Sequence, residues 1–312
     1  MQTVESFGPN GPRVSLLGFG CASVMGRVGR GQSLDAMACA VDHGITHFDV
    51  ARSYGFGDAE KVLGHFMRGR RDKLTVTSKF GIVAPQLKTW QRIARPVVRP
   101  LRSVLAPLRK QVRAAAGQLL GATRHDVGYA RECLEKSLRE LGTDYLDFYL
   151  LHEPPLAHLA EREALHDFMQ GRVRAGQIRA WGVAHPVEDA KSPAATLKGL
   201  GTVLQQPSSF GASRRARSNR DHQPDARSET RFRFITQPMA GGDSTRIDPA
   251  LVAVARTAGL SHVDAMFAWA CHEAGPAGAV IAGMYSRDHI VANAAAVERY
   301  AANRARFDGL LG

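Results

Sequence analysis

Asp49 and Tyr54 stand close together in the segment HFDVARSYGFGDAEKVLG, His47 to Gly64. A short apolar run ends at Asp49. Tyr54 follows in the loop, with Gly55 and Gly57 behind it and a helix opening at Asp58. Lys79 closes the β-rich run LTVTS, and His152 closes the apolar run YLDFYLL. A phenol has a reference pKa of about 10, so it holds its proton at neutral pH. A nearby ammonium favours the phenolate, and a carboxylate keeps that ammonium charged. An imidazole donates to an oxygen on which charge develops. Four such groups describe proton transfer. Taken singly, each has a plainer reading: Tyr54 packs in its loop, Asp49 caps a turn, Lys79 is solvated and His152 is structural. Their recurrence at successive strand ends favours chemistry.

The elements that position them alternate. Val14–Phe19 reads as a first strand and Ser33–His43 as a helix with Ser33 as N-cap, stopped by Gly44. Ile45–Val50 is a second strand, Asp58–Arg68 a helix, and Leu74–Ser78 a third strand. Tyr129–Leu141 is helical and ends at Gly142. The continuous run Tyr145–Leu151 reads as a strand buried on both faces. A helix from about 160 to 173 leads to strands at Ile178–Val183, at Val203–Pro207 and at Phe232–Thr236. Pro249–Ala258 and Val263–Glu273 are helical. Ala279–Ile281 is a last strand, and Ser286–Tyr300 is a closing helix. Strands that alternate with helices are parallel and joined by right-handed crossovers. Eight such units predict a closed (β/α)8 TIM barrel of class α/β, with residues 1–312 as one domain. A doubly wound open sheet is the alternative. It wants a GxGxxG at the first turn, and the segment after Gly18-Phe-Gly20 lacks the third glycine.

The formal net charge is +12. Eleven Lys and Arg, with no Asp or Glu, fall between Lys73 and His125, so the rest of the chain is close to neutral. Apolar residues at helical spacing from Trp90 to Val112, interrupted by Pro96, Pro100 and Pro107, predict short basic helices inserted after the third strand at about 83–125. On a barrel this insertion lies on the rim that carries the four groups. Its stretch 88–113 suits an acidic partner or an anionic surface. Few aromatics interleave with its charges, so single-stranded nucleic acid is disfavoured. No run approaches the ~20 apolar residues of a membrane helix, and Met1–Arg13 lacks a signal-peptide core. Cys21, Cys39, Cys133 and Cys271 form no CxxC pair and no ligand spacing. They predict free thiols, no metal site and a cytoplasmic location.

On these residues the sequence resembles the aldo-keto reductases. The matching segments are DVARSYGFGDAEKVLG, TSKFG, CLEKSLRELGTDYLDFYLLHEP and GRVRAGQIRAWGV. LQQP, TQPMAGG and AVIAGMYSRDHIVAN match more weakly. The likeness leaves out the segments from about Val83 to Arg124 and Ser213 to Arg231. It implies an oxidoreductase that reduces an aldehyde or ketone, or oxidises the alcohol, by hydride transfer with NADP(H), NAD(H) being the alternative. It further implies that Tyr54 is the proton donor, that Lys79 and Asp49 tune it, and that His152 orients a small carbonyl substrate. The implied cofactor-binding residues are Cys21, His185, Gln205, Met239, Gly283, Ser286, His289 and Asn293. Gln205 matches the family's nicotinamide contact. The chain departs from the pattern at Ala184-His185, where the family has Ser-Asn, and at Thr236, where it commonly has Tyr. Gly283 and His289 stand where Lys and Arg often bind the ribose phosphate. Backbone amides at the closing helix N-terminus remain to hold a phosphate. A second functional class stays open: a weak or inactive barrel that senses a cofactor or binds a partner through the basic insertion.

Overall fold

The computed structural model describes residues 1–5, 11–84, 122–156, 159–185, 198–208, 231–239, 253, 255–257 and 259–311. Its centre is a closed barrel of eight parallel strands. These are β1 Leu17–Gly20, β2 His47–Asp49, β3 Thr75–Phe80, β4 Leu146–His152, β5 Ile178–Ala184, β6 Val203–Pro207, β7 Phe232–Thr236 and β8 Gly278–Ala282. They pair in sequence order, and β8 closes on β1 through Val280–Leu17 and its neighbours. The described helices are α1 Arg30–Asp42, α2 Ala59–Met67, α3 Val127–Leu141, α4 Arg162–Arg174, α5 His262–Ala274, α6 Arg287–Ala302 and α7 Arg304–Leu311. The expected TIM barrel is therefore the fold. The basic insertion expected at about 83–125 lies almost wholly outside the described residues, including all of 88–113. So do the loop 213–230 and most of the helix expected at 249–258.

Two layers of apolar packing hold the barrel. Phe148, Leu150, Phe232, Phe234 and Ile281 fill its inside. A larger shell, with Phe48, Tyr149, Leu151 and Trp181, packs strands against helices. Every residue of β4 is buried, which explains its largely apolar composition; the exception inside it, Asp147, is paired with Arg71 at 2.8 Å and Arg179 at 3.0 Å. Large side chains buried this fully contribute about 1.5–3 kcal/mol each. α2 lays Val62, Leu63 and Phe66 on the barrel, with Phe66 against Phe48 at 5.5 Å between ring centroids. Asp126 caps α3 by accepting from the Tyr129 N–H at 2.8 Å, and Gly142 ends it in the left-handed conformation. At Gly182 the strands β5 and β6 approach so closely that a Cβ would overlap the Val203 carbonyl.

Three local expectations are corrected. The first apolar run is split, and only Leu17–Gly20 enters the barrel. Arg13–Ser15 instead pairs antiparallel with Thr3–Glu5 in a hairpin. Ser15 marks the break: its hydroxyl donates to the Leu17 carbonyl and accepts from the Thr46 and His47 N–H groups. α1 begins at Arg30, and Ser33 is not its cap. The Ser33 hydroxyl donates back to the Gly29 carbonyl at 2.7 Å from inside the helix. α7 follows α6 with no forewarning in the apolar periodicity. Among the described residues no helix is long and apolar enough to cross a membrane. No group of three or more His, Cys, Asp or Glu among them is gathered to hold a metal ion.

Candidate active site

The carboxyl ends of parallel barrel strands converge on one rim. β2, β3 and β4 are neighbours there, and they carry Asp49, Lys79 and His152. Tyr54 comes from the loop after β2. That loop is pinned to the next strand, since Val50 N–H donates to Thr77 O and Arg52 N–H to Lys79 O. Behind Tyr54 the chain reverses through Gly55 and Phe56, both left-handed at φ 60° and 61°. Gly55 is required, because a Cβ there would overlap the Val24 carbonyl. Phe56 adopts the same conformation at a cost of about 1–2 kcal/mol. A buried network holds the turn in place. Arg52 binds Glu60 and, at 2.7 Å, Glu140, while Glu60 accepts from the Ser78 hydroxyl at 2.6 Å.

Lys79 is at the centre. It is only 1 % exposed, and its ammonium has three acceptors: Asp49 Oδ1 at 2.7 Å, the Val50 carbonyl at 3.2 Å and the Tyr54 phenol at 3.4 Å. An ammonium has three protons, so each is used. The other Asp49 oxygen, Oδ2, accepts from the Gln205 carboxamide at 2.7 Å. The His152 imidazole meets the Tyr54 ring edge-on, with centroids 5.8 Å apart. The four residues singled out in the sequence are thus brought together, and Gln205 joins them as a fifth.

The charges follow from burial and neighbours. Burial pushes the Lys79 ammonium down. The Asp49 carboxylate, helped by Tyr54, more than reverses this, so its pKa stands above the ordinary lysine value. Burial pushes the Tyr54 phenol up, and Lys79 only partly offsets it, so its pKa stands above 10. The expectation that Lys79 lowers this pKa holds for its own contribution and not for the net, because desolvation is larger. His152 is pushed down to about 3, first by burial and then by the Lys79 and His125 charges, so its imidazole is neutral. Cys21 lies wholly buried just after β1, and burial raises its thiol far above the ordinary range.

The other residues implied for a cofactor fall into two groups. His185 follows β5 and is half-buried, its N–H donating to the Gln205 carbonyl at 2.9 Å. Met239, past β7, is half-buried against the core. Gly283, Ser286, His289 and Asn293 belong to the exit of β8 and the start of α6. Ser286 caps that helix and accepts from the His289 N–H, and Asn293 donates to the Met284 sulfur at 3.7 Å. Tyr285, not foreseen, ties this exit to β1. Its hydroxyl donates to the Gly20 carbonyl at 2.6 Å and accepts from the Ser23 N–H at 3.2 Å.

The sequence profile of the Aldo/keto reductase family matches residues 16–208. The chain belongs to this family. Among the curated relatives of this aldo/keto reductase is the aldo-keto reductase YhdN of Bacillus subtilis, 29% identical over 189 residues, 58% of this chain and 46% of that protein. The methylglyoxal reductase YeaE of Escherichia coli is 31% identical over 150 residues, 48% of this chain and 38% of its own length. The chain thus spans less than half the length of these two relatives. Solved structures share the fold at low identity. The aldo-keto reductase from Klebsiella pneumoniae in complex with NADPH superposes with a TM-score of 0.65 at 23% identity, covering 100% of this chain and 96% of that one. The glycerol dehydrogenase of Gluconobacter oxydans gives 0.68 at 17% identity, covering 99% and 94%.

In this aldo/keto reductase the site residues without a forewarning are the supports. Arg52 and Glu60 belong to the Tyr54 segment itself and Glu140 to the end of α3, and Gln205, expected as a nicotinamide contact, meets Asp49 across the barrel. Glu60 sits on the buried face of α2, where a carboxylate breaks an otherwise apolar pattern; that break was the one available signal.

Proposed function

We propose that this protein reduces a small aldehyde or ketone, or oxidises the corresponding alcohol, with NADP(H) as hydride carrier and Tyr54 as the proton donor or acceptor. One observation carries the reading: a single buried ammonium, Lys79, bonds at once to a carboxylate and to a phenol at the mouth of an aldo/keto reductase barrel. The NADPH and NADP complexes of the Klebsiella pneumoniae reductases support the choice of dinucleotide. The donor set suits it as well. The Gln205 carboxamide gives its N–H to Asp49 and keeps a carbonyl oxygen to accept from an amide. His185 follows at the end of the neighbouring strand, its backbone N–H bonded to the Gln205 main-chain carbonyl. Ser286 and the first-turn N–H groups of α6 suit a phosphate. Buried thiols suit a reducing compartment such as the cytoplasm.

Hydride for the carbonyl carbon is what the bound dinucleotide supplies. The chain supplies the proton and the field. As negative charge develops on the carbonyl oxygen, neutral His152 donates a hydrogen bond that orients it. Tyr54 gives its phenolic proton to the same oxygen. The phenolate left behind is stabilised by the Lys79 ammonium, which Asp49 holds charged and aimed. In the alcohol-oxidising direction the phenolate takes the proton back. Fluorescence titration with NADPH, followed by loss of NADPH absorbance with short-chain aldehydes, tests the reading. Saturable binding and turnover are expected. Absence of both would overturn it.

A further inference from the structure

His125 is a buried histidine that neither the sequence pattern nor the mechanism uses. It enters the rim between β3 and α3. Its Nε2 lies 3.0 Å from the main-chain carbonyl of His152. A carbonyl only accepts, so Nε2 carries the proton and donates. The site around it is shaped to admit the ring. Gly81, two residues after Lys79, has φ +130°, and a Cβ there would overlap His125 Nε2 and stand 2.8 Å from the His152 oxygen. Phe80 lies tilted against the ring at 6.1 Å. A short stem fixes where His125 arrives: Arg124 N–H donates to Gly81 O, Val83 N–H donates to Ala122 O, and Ile82 bridges Thr123 antiparallel.

The carbonyl that receives this bond sits where the ladder stops. The pairing of β3 with β4 ends at Phe80–Leu151, one residue before His152. Immediately after it, Glu153 turns left-handed at φ 52°, its N–H held by Ala184 O at 2.8 Å. The His152 backbone is thus the last residue of a strand at a strained corner, and strain of this kind persists only where surroundings over-determine it.

We propose that His125 is a positioning residue: its bond to the His152 carbonyl holds that corner and aims the His152 imidazole at the substrate's carbonyl oxygen beside the Tyr54 phenol. The proposal rests on the carbonyl chemistry proposed above. It also makes His152 orientation depend on the stem through which the segment after β3 leaves and returns.

The test compares His125→Phe, which keeps a ring and loses the donor, with His125→Gln, which keeps an N–H at similar reach. His125→Phe is expected to lower kcat/KM for the carbonyl substrate roughly ten- to hundredfold, as a misplacement of about 1 Å does. NADPH affinity should stay unchanged, and His125→Gln should recover most of the loss. A second readout needs no turnover: the ring-nitrogen NMR signals of His152 in the protein without dinucleotide should move in His125→Phe and return in His125→Gln. If His125→Phe does not fold, His125→Asn, with the same donor on a shorter arm, replaces it against His125→Gln. The proposal fails if the His152 signals and carbonyl KM are unmoved, if Gln is as damaging as Phe, or if NADPH binding falls in step. If the wild type shows no turnover, the chemical reading fails and the NMR comparison still decides the role of His125.

Discussion

Lys79→Met removes the ammonium and keeps most of the stem volume. In the folded protein Lys79 and Asp49 are 1% and 4% exposed, with Nζ and Oδ1 2.7 Å apart. At that distance two unit charges attract by about 6 kcal/mol at an effective dielectric of about 20. Much of this offsets the cost of taking both charges out of water, so the pair's net worth is smaller. Breaking it from one side is costly all the same. Asp49 would stay buried, with Gln205 as the donor left to it. Lys79→Met should therefore cost about 3–5 kcal/mol of unfolding free energy in urea, and Asp49→Leu a comparable amount. The double variant buries no orphaned charge. It should cost less than the sum by about 2–3 kcal/mol, the coupling expected of groups in direct contact. The reasoning would be refuted by Lys79→Met lying within about 1 kcal/mol of wild type, or by costs that simply add.

Two further outcomes are expected from the site and the barrel interior beneath it. His47 and His152 are both pushed down to about 3, chiefly by burial. The unfolded chain binds a proton on each below about pH 6.5 and the folded one does not, so their contribution to stability is whole above that pH and is lost as pH falls toward 3. From pH 7 to pH 5 the two together should remove about 4 kcal/mol; urea midpoints against pH measure it, and His47→Phe showing the wild-type slope would contradict it. In the protein without dinucleotide, burial holds Tyr54 above the ordinary tyrosine value and Lys79 pulls it down. NMR of ring-labelled tyrosine should find Tyr54 still protonated at about pH 10 and shifted further up in Lys79→Met; a downward shift in that variant would reverse the assigned role of Lys79.

The barrel was legible because its strands are short apolar runs bounded by turn residues, and Phe232–Thr236 matches its expected bounds. Asp49, Tyr54, Lys79 and His152 were legible because their types are rare together and each ends or follows a run. What pattern does not carry is contact across the barrel. Gln205 was legible as the nicotinamide contact the resemblance implies, but its bond to Asp49 exists only once the strands close into a ring. His47, inside the barrel, stacks on Phe234 at 4.7 Å and bonds Thr75, yet in sequence it is one polar residue in a short strand. The first strand and α1 differ from expectation at positions where a serine hydroxyl takes a backbone partner that propensity does not foresee. Glu140 sits in a stretch with charged neighbours, where a buried ion looks like any solvated one, and Arg52 stands in a loop where an arginine is ordinarily solvated.

The central claim, that Tyr54 gives the proton to a carbonyl oxygen, is tested most directly by Tyr54→Phe. The ring and its packing against His152 remain and the phenolic proton is gone. NADPH binding should match wild type, while aldehyde turnover should fall by about 10²–10⁴-fold. Turnover within a few-fold of wild type, with NADPH bound, would contradict it.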